Sequence, residues 1–249
     1  MAAPSRLDLE LNELKWWSKW TKTTMLGRNA YVMTSSSFRE LFFNRACFVD
    51  CRAASAYMPR AEEMLSRSGV RPAYTVHEGC AAASRALARS GSRLLDTMSV
   101  MFLSHKSGSV ESDAGIRRVG KERIVQWSRA YLQAFYGDDR LLPAVTRVVG
   151  GLVADRSATL LEARLGGSVA GVLALYRTRH VAGVYCVGTV PSFRRRGVAG
   201  ALLDRAAALA ESEGRYLILQ TLESDGVEAF YRKRGFVRVY RKRLFSKES

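Results

Sequence analysis

The reading of this chain turns on "VPSFRRRGVAGALLDRAAALA", Val190–Ala210. Three arginines run into Gly197-Val198-Ala199-Gly200, and an alanine- and leucine-rich helix pattern starts at once. A helix N-terminus carries unpaired N–H groups and the positive end of the backbone dipoles, so it stabilises an anion. Gly197, Ala199 and Gly200 keep side chains out of the way, so a pyrophosphate could approach the backbone. Arg194, Arg195 and Arg196 add forked, permanently charged donors. Taken alone, a solvated charge run ahead of an ordinary helix explains the same letters.

Working outward, the stretch is preceded by a valine-rich strand, "AGVYCVGTV", and followed by strand "RYLILQT", helix "SDGVEAFYRKRG" and strand "FVRVYRKRLFS". Upstream, "ATLLEARLGGSVAGVLALYR" is a strand pair turning at Gly166-Gly167. Before it, "KERIVQWSRAYLQAFYG" predicts a helix ending near Gly137, and "LLPAVTRVVGGLV" a second, shorter one. The polar stretch Lys106–Gly115 is the best linker candidate.

In the N-terminal half, "ACFVDC", "RPAYTVHE" and "LLDTMSVMFLSH" read as strands, and "SAYMPRAEEMLSRSG" and "CAAASRALARSG" as helices. "AYVMTSSSFRELFF" reads as strand or loop and then helix. "LDLELNELKWWSKW" predicts an amphipathic helix with Leu7, Leu11 and Leu14 on its apolar stripe and tryptophans that dock it onto the body or a second subunit. The halves echo each other: Gly69 and Gly214 are 145 residues apart, and Gly91 and Gly235 are 144 apart. Near-equal offsets suggest a duplicated unit, although two glycines can align by chance.

Composition bounds the function. A chain of 249 residues, 47% hydrophobic and 25% charged, is globular and long enough for two cores. Lys and Arg number 39 against 23 Asp and Glu, a net charge of +16. That field favours nucleic acid, acidic membrane surfaces or polyphosphate ligands, and disfavours polycationic substrates. Cys47, Cys51, Cys80 and Cys186 form no CxxC pair, and His77, His105 and His180 are scattered, so no metal site is expected. With no apolar leader and no apolar run near the ~20 residues of a membrane span, the reading is a reduced, soluble, cytoplasmic protein.

At this point the chain resembles the GNAT superfamily of N-acetyltransferases, which bind acetyl-coenzyme A through an (Arg/Gln)-x-x-Gly-x-(Gly/Ala) turn. Here that pattern is Arg194-Arg195-Arg196-Gly197-Val198-Ala199. Pro191 and Phe193 stand where the family usually has proline and tyrosine, and "AFYRKRGF", Ala229–Phe236, looks like its second signature. Gly235 lies 38 residues past Gly197, about the family distance. The resemblance covers roughly Ile116 to the C-terminus. It implies a mixed, mainly antiparallel sheet flanked by helices, and a GNAT domain at 111–249. Residues 1–110 then form an N-terminal α/β domain, read as a degenerate GNAT-like half.

The resemblance also assigns roles. Tyr231 matches the general acid that protonates the departing sulfur, and a neutral tyrosine suits that task; a tyrosine packed on the core face of its helix is the bland alternative. Val187, Gly188 and Thr189 match the strand segment that pairs with pantetheine and polarises the thioester carbonyl. The cofactor contacts run through Arg194, Arg195, Arg196, Gly197, Val198, Ala199 and Gly200. Ser224 falls where the family commonly has an asparagine, a departure that puts this cofactor contact in doubt. Leu87 stands at the place of Tyr231 in the N-terminal half, which has no cofactor turn, so that half is expected to be a scaffold.

No general base is evident. "RYLILQT" offers no carboxylate, and Glu162, Glu223, Asp225 and Glu228 read as surface charges. Cys186, flanked by valine, reads as an inert core residue. The expected function is acetyl-coenzyme A-dependent acetylation of a primary amine on an unidentified acceptor by direct attack, in a chain that could form a homodimer. Two rivals stay open: a nucleic-acid-binding protein, supported by the charge and by "RVYRKRLF", and a catalytically silent acyl-coenzyme A-binding protein.

Overall fold

The computed structural model describes residues 4–106, 108 and 112–247. The expected linker, Lys106–Gly115, therefore lies partly outside the described residues. In chain order the first half runs α1 (Arg6–Trp17), β1 (Lys22–Gly27), β2 (Ala30–Thr34), β3 (Arg45–Phe48), α2 (Cys51–Arg67), β4 (Ala73–His77), α3 (Ala81–Arg89) and β5 (Ser92–Leu103). The second half runs β6 (Gly115–Arg118), α4 (Ile124–Phe135), α5 (Leu142–Ala154), β7 (Ala158–Leu165), β8 (Ser168–Arg177) and β9 (Val181–Thr189). It ends with α6 (Val198–Ser212), β10 (Tyr216–Leu222), α7 (Glu228–Arg232) and β11 (Phe236–Lys247). Helix α5 is one residue longer than α4, not shorter as its sequence suggested.

Two compact units divide the chain. The first comprises Met1–Glu13, Phe102–Leu219 and Lys233–Phe236; the second comprises Leu14–Met101, Gln220–Arg232 and Val237–Ser249. Each unit draws on both halves of the sequence.

In the first unit β6, β7, β8 and β9 pair antiparallel in that order, and β10 joins β9 in parallel. Alternation along the strands decides which helix covers which face. Gly171 of β8 faces α6, where an added Cβ would stand 2.6 Å from Val198. Val172, the next residue, pairs with Gly188 of β9, and Gly188 faces Ala134 and Phe135 of α4. So α4 and α6 lie on opposite faces of this sheet. Helix α4 is anchored by the buried Trp127, whose Nε1 donates to the Leu161 carbonyl at 2.9 Å.

In the second unit β1, β2 and β3 pair antiparallel, β4 joins β3 in parallel, and β11 lies antiparallel to β4. Its core packs Ala53, Ala54, Ala61 and Leu65 of α2 and Leu87 of α3 against Val32, Phe48, Tyr74 and Val76. An aromatic cluster of Trp16, Trp17, Trp20, Phe38 and Phe43 forms a further block of contacts. The stripe expected on α1 is corrected by burial: Leu7 and Leu11 are exposed, while Leu9, Glu10, Asn12, Glu13 and Trp16 are buried.

The element order of the two halves repeats in part. The run β3–α2–β4–α3–β5 repeats as β9–α6–β10–α7–β11, with a parallel first pair and a twelve-residue last strand each time. Gly69 and Gly214 share φ of 65° and 64°, and Gly91 and Gly235 share 80° and 87°. The cysteines correct the reduced reading: Cys51 and Cys80 form a disulfide across 29 residues, joining the first residue of α2 to the N-cap of α3. Among the described residues no helix is long and apolar enough to cross a membrane.

Candidate cofactor turn and acid site

Strand β9 contributes first. Its parallel register with β10 runs from Val181↔Tyr216 to Val184↔Leu219, while β9 continues to Thr189. Opposite β8, Ala174 pairs with Tyr185 and Val172 with Gly188, so Leu173 faces two residues, Cys186 and Val187. Cys186 takes φ of 52°, and this bulge re-aims the strand at the end of its ladder. Val187, Gly188 and Thr189 follow the bulge directly.

The turn comes next. A 3-10 turn, Pro191–Phe193, leads through exposed Arg194, Arg195 and Arg196 into α6. Arg195 is left-handed at φ 62°, a conformation that costs a side-chain-bearing residue about 1–2 kcal/mol. Gly197, at φ 73° and ψ 0°, caps the helix and supplies no side-chain hydrogen bond to the first turn. No acidic residue stands in that first turn. The arginines are thus held beside a positive helix end by backbone conformation, with Arg196 lying 5.7 Å from the Phe193 ring. Val187 to Gly200 form one continuous strand–turn–helix unit.

Ser224 and Tyr231 belong to the second unit. Tyr231, on α7, is 9% exposed and packs edge-on against Phe230 at 5.3 Å. Burial first, and then the charge of Asp225, push its hydroxyl up to about 12. It therefore stays neutral throughout the physiological range. The Ser224 hydroxyl donates to Asp96 of β5.

The carboxylates divide by environment. Glu162 is not a surface charge: it is fully buried on β7, 2.7 Å from Arg123 and 3.5 Å from Arg164. Glu228 is mostly buried, accepting from Ser99 at 2.8 Å and pairing with Arg232 and Arg238. Burial raises its carboxyl, but those hydrogen bonds and charges outweigh it and hold it below the ordinary range, which makes it a weak base. Glu223 pairs with Arg241 at 3.1 Å, and Asp225 accepts from the Leu222 amide at 3.3 Å. Burial pushes the Cys186 thiol well up, away from nucleophilic thiolate.

Sequence reasoning missed one polar cluster. Asn12 of α1 donates to the Tyr176 carbonyl at 2.9 Å and accepts from the Tyr185 hydroxyl at 2.8 Å. Glu10 and Glu13 are buried beside it, and with burial they raise the Tyr185 hydroxyl well above its ordinary value. Nothing in the letters distinguished these residues from the polar face of an amphipathic helix.

Comparison with known proteins bears on the fold. A model of the acetyltransferase (GNAT) family matches residues 121–236. The chain is similar in fold to a GCN5-related N-acetyltransferase from Kribbella flavida, with 14% identity, TM-score 0.71, and 98% of this chain and 96% of that one covered. A GCN5-related N-acetyltransferase from Sphaerobacter thermophilus gives 17% identity and TM-score 0.69, covering 99% and 94%. A functionally unknown conserved protein from Staphylococcus epidermidis gives 13% and 0.67, covering 92% and 94%. No curated protein matches the chain in sequence.

Proposed function

Residues 121–236 of this chain belong to the GNAT acetyltransferase family, and from that premise we propose that it transfers the acetyl group of acetyl-coenzyme A to a primary amine by direct attack. The observation that carries this reading is the mouth of α6: a left-handed glycine cap with no side chain of its own, flanked by three exposed arginines. These features fit a pyrophosphate. The backbone supplies donors, Arg194–Arg196 supply charge, and Gly197 to Gly200 leave room.

In this reading the Val187–Thr189 amides, past the end of the β9–β10 ladder, hydrogen-bond pantetheine and the thioester oxygen. The amine nitrogen attacks the carbonyl carbon, the carbon–sulfur bond breaks, and sulfur takes the Tyr231 proton. The proton lost by the amine passes to water, and water returns one to Tyr231. A raised tyrosine hydroxyl suits this part, because it arrives protonated at every working pH. Water serves as base, since the partners of Glu228 hold its carboxyl below the ordinary range and Glu162 is engaged by Arg123 and Arg164.

We take residues 1–110 as the degenerate copy and 111–249 as the transferase. The cytoplasm is the natural source of the cofactor. Disulfides are uncommon there, so the thiol state of Cys51 and Cys80 in purified protein bears on location. A second reading, binding without transfer, is favoured by one observation: Glu162, Glu223, Asp225 and Glu228 are each engaged by other groups, so none of them stands ready as a base.

Thiol release from acetyl-coenzyme A, measured against amines, peptides and buffer alone, tests the proposal. Amine-dependent release is expected. Cofactor binding without release for any amine would favour the silent binder, and tight, selective nucleic-acid binding without cofactor affinity would replace both.

A further inference from the structure

Helix α4 carries a chain of rings that runs from the core into solvent. Trp127 and Tyr131 stack at 5.8 Å with planes 6° apart. Tyr131 meets Phe135 at 5.1 Å and Tyr136 at 6.0 Å. The first two rings are buried, but Phe135 is 52% exposed. A single exposed phenylalanine ordinarily needs no explanation. The position of this one is what singles it out.

Phe135 lies over Gly188. A Cβ built on Gly188 would stand 2.7 Å from Phe135 Cε2 and 2.8 Å from Ala134 Cβ, so only glycine allows ring and strand to approach this closely. Gly188 is the centre of the Val187–Thr189 segment, past the β9 bulge, that the proposed function gives to the thioester. An amine approaching that segment from the α4 face would meet a ring that is half in water and packed against Tyr131. The acidic groups just beyond the helix already have cationic partners: Asp138 pairs with Arg140 at 2.8 Å and Asp139 with Arg129 at 2.9 Å. This wall therefore suits an apolar group better than a second cation.

We propose that Phe135 is a specificity-determining residue that packs against an apolar or aromatic group carried next to the acceptor's amine. The inference rests on the acetyltransferase reading and names the acceptor class for it. Arylalkylamines and amines beside bulky apolar side chains fit the wall; small hydroxylated amines and polyamines do not.

The test titrates β-phenylethylamine, ethylamine and spermidine into coenzyme A-saturated protein by calorimetry, and measures acetylation of the same amines. The wild type is expected to bind β-phenylethylamine at least ~10-fold more tightly than ethylamine, the scale of a discriminating apolar contact. Phe135→Ala should collapse that ratio towards one, and Phe135→Leu should restore most of it. A coenzyme A titration and a melting curve on each variant confirm that fold and turn persist. Equal wild-type affinities, preference for spermidine, or a ratio that survives Phe135→Ala would overturn the proposal alone. A wild type that binds no coenzyme A would overturn the acetyltransferase reading and this inference together.

Discussion

The mouths of α2 and α6 occupy the same place in two runs of one strand–helix–strand element order, yet they are chemically opposite. At α2 the N-cap is Asp50, whose carboxylate accepts from the Ala53 amide at 2.8 Å and from Asn29 Nδ2 at 2.6 Å. The next residue, Cys51, is tied to Cys80 at the mouth of α3. At α6 the N-cap is Gly197, with no side chain to offer and arginines beside it. One helix end has taken its anion from its own sequence, whereas the other has no side-chain acceptor at its cap, which is what the proposed pyrophosphate site requires. A repeated element order therefore need not repeat the chemistry at its helix mouths, because one capping residue decides whether the cap brings its own anion.

Placing a carboxylate at the α6 mouth should make it resemble α2, and this is the largest effect expected. Gly197→Glu puts a negative side chain where phosphate would sit and forces a left-handed backbone on a residue with a Cβ. Coenzyme A affinity by calorimetry should fall by at least ~100-fold, about 2.7 kcal/mol. Unchanged affinity would mean that the turn is only a charged loop.

The contrast extends to Tyr231, whose place in the first copy is held by the buried Leu87. Tyr231→Phe keeps the ring and removes the proposed acid, so turnover should drop by roughly 10²–10⁴-fold at saturating substrates. Tyr216→Phe, in a position no motif marks, should stay active. With the hydroxyl pushed up to about 12, Tyr231 should give no alkaline limb in the pH–rate profile below pH 10. The same shift affects stability: above pH ~10 the unfolded chain loses this proton while the folded one keeps it, so stability falls as pH rises from 10 towards 12. In Tyr231→Phe, denaturant unfolding should lose that portion of the slope.

Opening the disulfide probes the closed copy. Its loop of 29 residues should contribute roughly 3–4 kcal/mol by restricting the unfolded chain. Cys51→Ala with Cys80→Ala should lower the melting temperature and leave one coenzyme A bound per chain. A second equivalent bound would show that the covalent tie alone had been excluding it. The smallest change is Asp50→Ala, which removes an N-cap and should cost about 1 kcal/mol. Cofactor affinity unchanged alongside that loss would separate the two mouths as structural and functional.

The sequence alone determined what is local. Apolar, valine- and leucine-rich runs marked β7 to β11, Gly166-Gly167 marked a hairpin, and arginines ahead of glycines marked the α6 turn, because each signal lies between neighbours in the chain. β1 and β6 were not legible: "KTTMLG" and "GIRR" carry too little alternation, and they become strands by pairing with β2 and β7. Tertiary structure alone decided which polar groups are buried. Asn12 reaches Tyr185 across 173 residues, and Glu162 is stripped of water between strands that pair on either side of it. It also set β11 beside β4, and it brought Cys51 to Cys80 although neither stands in a recognisable spacing. Phe135 was an unmarked residue of a helix expected to end near Gly137 until β9 placed a glycine beneath it. Propensity and turn chemistry act between neighbours in the chain, while desolvation and close approach depend on whatever the fold brings from far away.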